Sequence, residues 1–113
     1  MHMNIILIGF KNCGKTTIGK ILAHTLNYKF IDTDTLLEKY YFQRQGLLLP
    51  SYKIHHQEGE MKFRQIEKSA INTLLNVKKT IIATGGGSVL NQENVNFFKK
   101  IGKMIYLYVP NTT

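Results

Sequence analysis

The segment Gly9-Phe10-Lys11-Asn12-Cys13-Gly14-Lys15-Thr16-Thr17 restricts the fold more than any other part of the chain, because it joins an apolar run to a stretch of helical periodicity. Two glycines separated by four residues, followed by Lys-Thr, form the phosphate-binding loop pattern, which works at a strand-to-helix junction. There the glycines let the backbone curl so that successive N–H groups face phosphate oxygens, and the helix N-terminus adds partial positive charge. Asn12, Cys13, Gly14, Lys15, Thr16 and Thr17 are the expected nucleotide-contacting residues. Lys15 would reach the β- and γ-phosphates of ATP, and the Thr16 hydroxyl would hold Mg2+. The alternative is an ordinary glycine turn beside a chance lysine.

The rest of the chain reads as strands alternating with helices. Asn4 to Ile8 is a short run rich in β-branched residues, as in a parallel strand buried on both faces. Ile18, Ile21, Leu22 and Leu26 predict an apolar helical stripe packed on a sheet. Tyr28 to Ile31 predicts a second strand, and Thr33 or Asp34 an N-cap for a helix with Leu36, Leu37, Tyr40 and Tyr41 on one side. Gly46 to Gln57 has no firm period and reads mostly as loop, with His55 and His56 an exposed pair. Glu58 to Asn76, carrying Met61, Ile66, Ala70, Ile71, Leu74 and Leu75, predicts one long helix. Thr80 to Thr84 is a third strand, Asn91 to Lys100 a helix with Val95 and Phe98 on one side, and Met104 to Val109 a fourth strand ended by Pro110. This order predicts an α/β layered fold with a mainly parallel sheet and flanking helices, in one domain spanning residues 1–113.

Composition narrows the partner classes. Apolar residues form 43% of the chain and no run approaches the ~20 residues of a membrane span. Neither a signal peptide nor a membrane segment is expected, and one cysteine cannot form an internal disulfide, so the cytoplasm is the expected compartment. The net charge of +8 arises mostly from scattered lysines, which reads as a solvated surface. A nucleic-acid partner would need a basic, aromatic-rich face that the sequence does not display. Scarcer residues are more informative: the only aspartates are Asp32 and Asp34, and the only arginines Arg44 and Arg64.

Asp32 and Asp34 follow the second predicted strand, at the edge where ligands of parallel sheets bind. At alternate positions of a strand end they would lie on one side, one serving a metal and the other accepting a proton from a substrate hydroxyl. A helix cap is the alternative. Arg64 could clamp a carboxylate in a bidentate fork, or pair at helical spacing with Glu60 or Glu67. Gly85-Gly86-Gly87 permits close backbone approach to a ligand and left-handed backbone angles, or forms a simple flexible turn. Cys13 reads as loop filler, and Tyr106 and Tyr108 as structural.

The phosphate loop, Asp32-Thr33-Asp34, Gly59-Glu60 with Phe63-Arg64, and Ala83-Thr84-Gly85-Gly86-Gly87-Ser88-Val89 occur in an order that resembles the shikimate kinase family. The resemblance implies transfer of the ATP γ-phosphate to the 3-hydroxyl of shikimate, on the route to aromatic amino acids. It implies that Lys15 contacts the transferred phosphate, that Thr16 and, through water, Asp32 serve Mg2+, and that Asp34 holds the shikimate hydroxyls and is the base. It assigns Arg64 to the shikimate carboxylate and Gly85, Gly86 and Gly87 to the substrate border. Residues 46–58 depart from the family pattern. The family also continues beyond the length matched here, with a fifth strand and a lid that carries a catalytic arginine. On that basis a chain of this length is expected to bind nucleotide weakly and turn over poorly, as a monomer or paired with the missing C-terminal segment. A different P-loop metabolite kinase or an inactive nucleotide-binding remnant are the competing readings.

Overall fold

The computed structural model describes residues 3–9, 14–85 and 87–107. Its strands are β1 (Asn4–Ile8), β2 (Lys29–Asp32), β3 (Thr80–Ala83) and β4 (Gly102–Tyr106). Its helices are α1 (Lys15–Leu26), α2 (Thr33–Gln45), α3 (Ser51–Glu58), α4 (Glu60–Asn72) and α5 (Gln92–Ile101). The strands form one sheet in the order β2-β3-β1-β4, and every pairing is parallel. The register sets Asp32 beside Ala83, Ala83 beside Leu7 and Leu7 beside Ile105, so the four strands deliver their C-terminal ends to one edge.

Strand side chains alternate between two apolar layers. Ile6 and Ile82 face Ile71 and Leu74, which follow from α4 and its final turn, together with Phe98 of α5. Leu7 and Ile81 face the opposite way, against Ala23 of α1. A third cluster, Leu37, Tyr41, Ile54, Phe63 and Ala70, binds α2 and α3 to α4. Among the described residues no helix is long and apolar enough to cross a membrane.

Several expectations change. Only Leu22 of the expected α1 stripe packs on the core: Ile18, Ile21 and Leu26 are 41%, 62% and 43% exposed, while Gly19 and Ala23 are buried. Small residues let the helix approach closely; a Cβ on Gly19 would stand 2.5 Å from the Phe30 ring. Residues 51–58 are helical, not loop, because Pro50 opens the turn and Ile54 is fully buried beneath it. The long helix expected from Glu58 to Asn76 is α4, Glu60–Asn72: it starts later because Gly59, with φ +87°, separates it from α3, and it ends short of Asn76. Met61 and Leu75 of that segment are exposed. The N-cap of α2 is Asp32, one position before the residues expected. The fourth strand begins at Gly102, and residues 108–109 of its expected span lie outside the described residues.

One polar side chain fixes the sheet at its other end. Asn4, 4% exposed, donates to Val77 O at 2.8 Å and Ile101 O at 3.0 Å and accepts from Thr80 N at 3.1 Å. Asn4→Ala leaves these buried groups without their partner and should lower the unfolding free energy by about 3 kcal/mol, read from urea titration.

Candidate active site

The site lies at the C-terminal strand edge, where short-range constraints turn each connecting segment toward its neighbours. Gly14 adopts φ +89° immediately before α1, a left-handed conformation that glycine takes without Cβ strain. Lys15 Nζ donates to Gly9 O at 2.7 Å. Asn12 and Cys13 lie outside the described residues. Thr17 is exposed in the first turn of α1.

Asp32 and Asp34 do not share a strand face as expected. Asp32 ends β2, and its Oδ1 accepts the Asp34 and Thr35 N–H groups at 2.9 and 3.3 Å. Its Oδ2 accepts the Thr16 hydroxyl at 3.1 Å. The cap and the link to Thr16 are therefore made by one carboxylate. Asp34 is in the first turn of α2, and its carboxylate lies so close over Gly85 that a Cβ there would collide with it. Thr33 between them accepts the Gly85 N–H at 2.7 Å.

The glycine segment is held from behind. Thr84 Oγ1 donates to Leu7 O and Ser88 Oγ to Gly85 O, each at 3.0 Å, while buried Asn94 donates to Ser88 O at 3.0 Å. Close approach explains these glycines, whereas left-handed backbone does not: neither Gly85 nor Gly87 has φ in that range. Gly86 lies outside the described residues. A Cβ on Gly87 would stand 2.7 Å from both terminal nitrogens of Arg64. Asp34 and Arg64, from different helices, thus each lie against a glycine of one segment, Asp34 at Gly85 and Arg64 at Gly87.

Both carboxylates in helical reach of Arg64 hold it. Nε donates to Glu60 at 2.8 Å, and Nη1 to the two Glu67 oxygens at 3.1 and 3.2 Å. Burial works against the guanidinium charge, but these carboxylates outweigh it and hold Arg64 above its ordinary value. Glu60 is held below the usual carboxylate range, chiefly by Arg64 and then by His55. Glu67 moves the other way: burial raises it, Arg64 only partly offsets this, and Asp34 adds repulsion. A cavity of about 280 Å3 opens here, lined by Glu60, Arg64, Gly87, Leu90 and Asn91. A larger one, about 450 Å3, lies at the outer edge of β2 and touches the site only through Thr16 and Asp32.

Sequence reasoning passed over Thr33 and Glu67 as site residues. Thr33 carried a signal in lying between the two aspartates at a strand end, and Glu67 in its spacing from Arg64. His55 is not part of an exposed loop pair: it is on α3, stacked on Phe63 and paired with Glu60.

Residues 11–113 match the family model described as shikimate kinase. The chain belongs to the shikimate kinase family. It is 44% identical over 107 residues to shikimate kinase of Alkaliphilus oremlandii, covering 95% of this chain and 60% of that protein. The crystal structure of shikimate kinase from Bacteroides thetaiotaomicron superposes with a TM-score of 0.86 at 30% identity, covering 97% of this chain and 59% of that one. Shikimate kinase from Acinetobacter baumannii, solved in complex with shikimate, gives 0.82 at 35% identity over 97% of this chain and 58% of that one. The chain thus spans about 60% of the length of the shikimate kinases it matches. The expected α/β fold with a parallel sheet agrees with these structures.

The folded Glu67 binds its proton more tightly than an unfolded chain does, so its contribution to stability falls as pH rises from 4.5, the ordinary value, through the raised one. Glu67→Gln removes this titration. Urea unfolding across that window should show the variant gaining stability relative to wild type as pH rises toward neutrality.

Proposed function

We propose that the chain binds ATP with Mg2+ at the loop from Gly9 to Thr17 and shikimate beside it, for transfer of the γ-phosphate to the shikimate 3-hydroxyl. The observation that carries this reading is the placement of the Asp34 carboxylate against Gly85 and the Arg64 guanidinium against Gly87, at the same sheet edge as the loop. A hydroxylated carboxylic acid needs a cation for its carboxylate and a proton acceptor for its hydroxyl, set a few ångströms apart.

Each residue then has a role. Arg64 forks the carboxylate, and its carboxylate partners fix the plane of the fork. Asp34 takes the proton of the 3-hydroxyl as the new O–P bond forms and the bond from the γ-phosphorus to the bridging oxygen of ADP breaks. Lys15 neutralises charge on the transferred phosphoryl group. The Thr16 hydroxyl and the Asp32 carboxylate are oxygen donors of the hard type that suits Mg2+, Thr16 directly and Asp32 through water. Such a site draws its remaining ligands from phosphate and water. The bound metal would offset phosphate charge. Gly85 to Gly87 bring main chain against the substrate ring, where a side chain would fill the space.

Both sides of the cleft lie within these 113 residues, so equilibrium binding reads the assignment directly. Titration calorimetry should show shikimate binding that is retained in Asp34→Asn and weakened by about thirtyfold in Arg64→Met, the loss of one charge-assisted fork. Shikimate affinity equal in wild type and Arg64→Met would reject the reading.

A second expectation concerns the glycine turn. Gly87→Ala places a methyl group against the guanidinium and should weaken shikimate binding about tenfold while shifting the thermal midpoint by only a few degrees.

A further inference from the structure

The loop-to-helix change at residues 51–58 brings an imidazole into the Arg64 cluster. The His55 ring stacks on Phe63 with centroids 4.4 Å apart and 17° between planes. The Arg64 guanidinium lies 5.3 Å from the centroid of the same ring. Phe63 is therefore a shared platform, and the two cationic side chains that use it are bridged by one carboxylate. Glu60 takes His55 Nε2 on Oε2 and Arg64 Nε on Oε1. Glu67 holds the far side of Arg64.

The neighbouring charges are otherwise committed. Glu58, on the same helix as His55, accepts the Tyr41 hydroxyl of α2 at 2.6 Å and pairs with Lys62 of α4 at 3.3 Å. The charged partner of His55 is thus Glu60 on α4, and through it Arg64.

We propose that His55 is a positioning residue for Arg64, orienting the guanidinium through Glu60 and making its hold on a carboxylate-bearing ligand depend on imidazole protonation. The neutral ring already donates one N–H to Glu60 and so fixes which way that carboxylate turns. Protonation adds a positive charge to the cluster, draws Glu60 toward His55, and leaves more of the Arg64 charge for an incoming anion. Phe63 keeps the ring in place in both states, so the change is one of charge and hydrogen bonding and not of packing. The effect on ligand binding rests on the proposed shikimate site; the link between His55 and Arg64 does not.

Two measurements separate these parts. In the ligand-free chain, the Arg64 Nε–H resonance in nitrogen-15 spectra should shift with a midpoint equal to the one read from the His55 ring resonances in the same pH series. The component that follows the His55 midpoint should vanish in His55→Gln, which keeps a donor but cannot titrate, and in His55→Phe, which keeps the stack without a donor, leaving only the component that Glu67→Gln removes. Shikimate titrated into the same three proteins should bind about threefold more tightly at the acid end in wild type, as expected for one added charge at the rim of a solvated site. His55→Gln should lose the change in affinity that follows the His55 midpoint and bind at the alkaline wild-type level above it, and His55→Phe should bind more weakly at every pH with an unchanged melting temperature. An Arg64 resonance indifferent to the His55 titration overturns the inference. A coupled resonance in a chain that binds no shikimate at any pH upholds the link and overturns the shikimate assignment instead.

Discussion

The Asp32 carboxylate ties together the edge of the sheet where the strands end. One oxygen accepts two N–H groups of the first turn of α2, and the other accepts the hydroxyl of Thr16 in the first turn of α1. A carboxylate is well suited to this place, because it meets orphan donors and the positive end of a helix dipole together. Since Asp32 also ends β2 in register with Ala83, the same residue sets the phosphate-loop helix, the substrate-side helix and the exit of β3 relative to one another. The adjacent Thr33 extends this to the glycine turn by taking the Gly85 N–H.

That edge is defined as much by missing atoms as by charged ones. The carboxylate of Asp34 and the guanidinium of Arg64 occupy space that β-carbons at Gly85 and Gly87 would fill. Arg64 has five N–H donors in a rigid plane, and carboxylates on either side settle the orientation of that plane before a ligand arrives. Glu67, buried and raised by that burial, is where the structure bears the electrostatic cost of this preorganisation.

Much of the architecture was legible because parallel strands buried on both faces must be apolar runs, and the runs here end in glycine or a capping residue. The phosphate loop was legible because its glycines and lysine occur in a fixed order. What escaped the sequence has physical reasons. The packed face of α1 uses Gly19 and Ala23, and periodicity arguments weigh large residues over small ones. Helix α3 is only 8 residues long, too short for a period to emerge from one buried isoleucine. In the site, chain order set Arg64 beside Glu60 and Glu67, but only the fold brings His55 and Gly87 against the same side chains. The two aspartates diverge because the strand ends between them.

Asn4 makes its contacts with residues 73, 97 and 76 positions along the chain. No local segment can satisfy that amide, so it rewards only the arrangement in which β1, β3 and β4 have all arrived in register. A slip of β1 by one residue would exchange Ile6 for Leu7 in the facing layers and strand the amide as well. The strand ends away from the cleft thus act as a lock on alignment, and the opposite ends are released from that task. Sequence there is free to be glycine, aspartate and lysine, residues that contribute little to holding a sheet together.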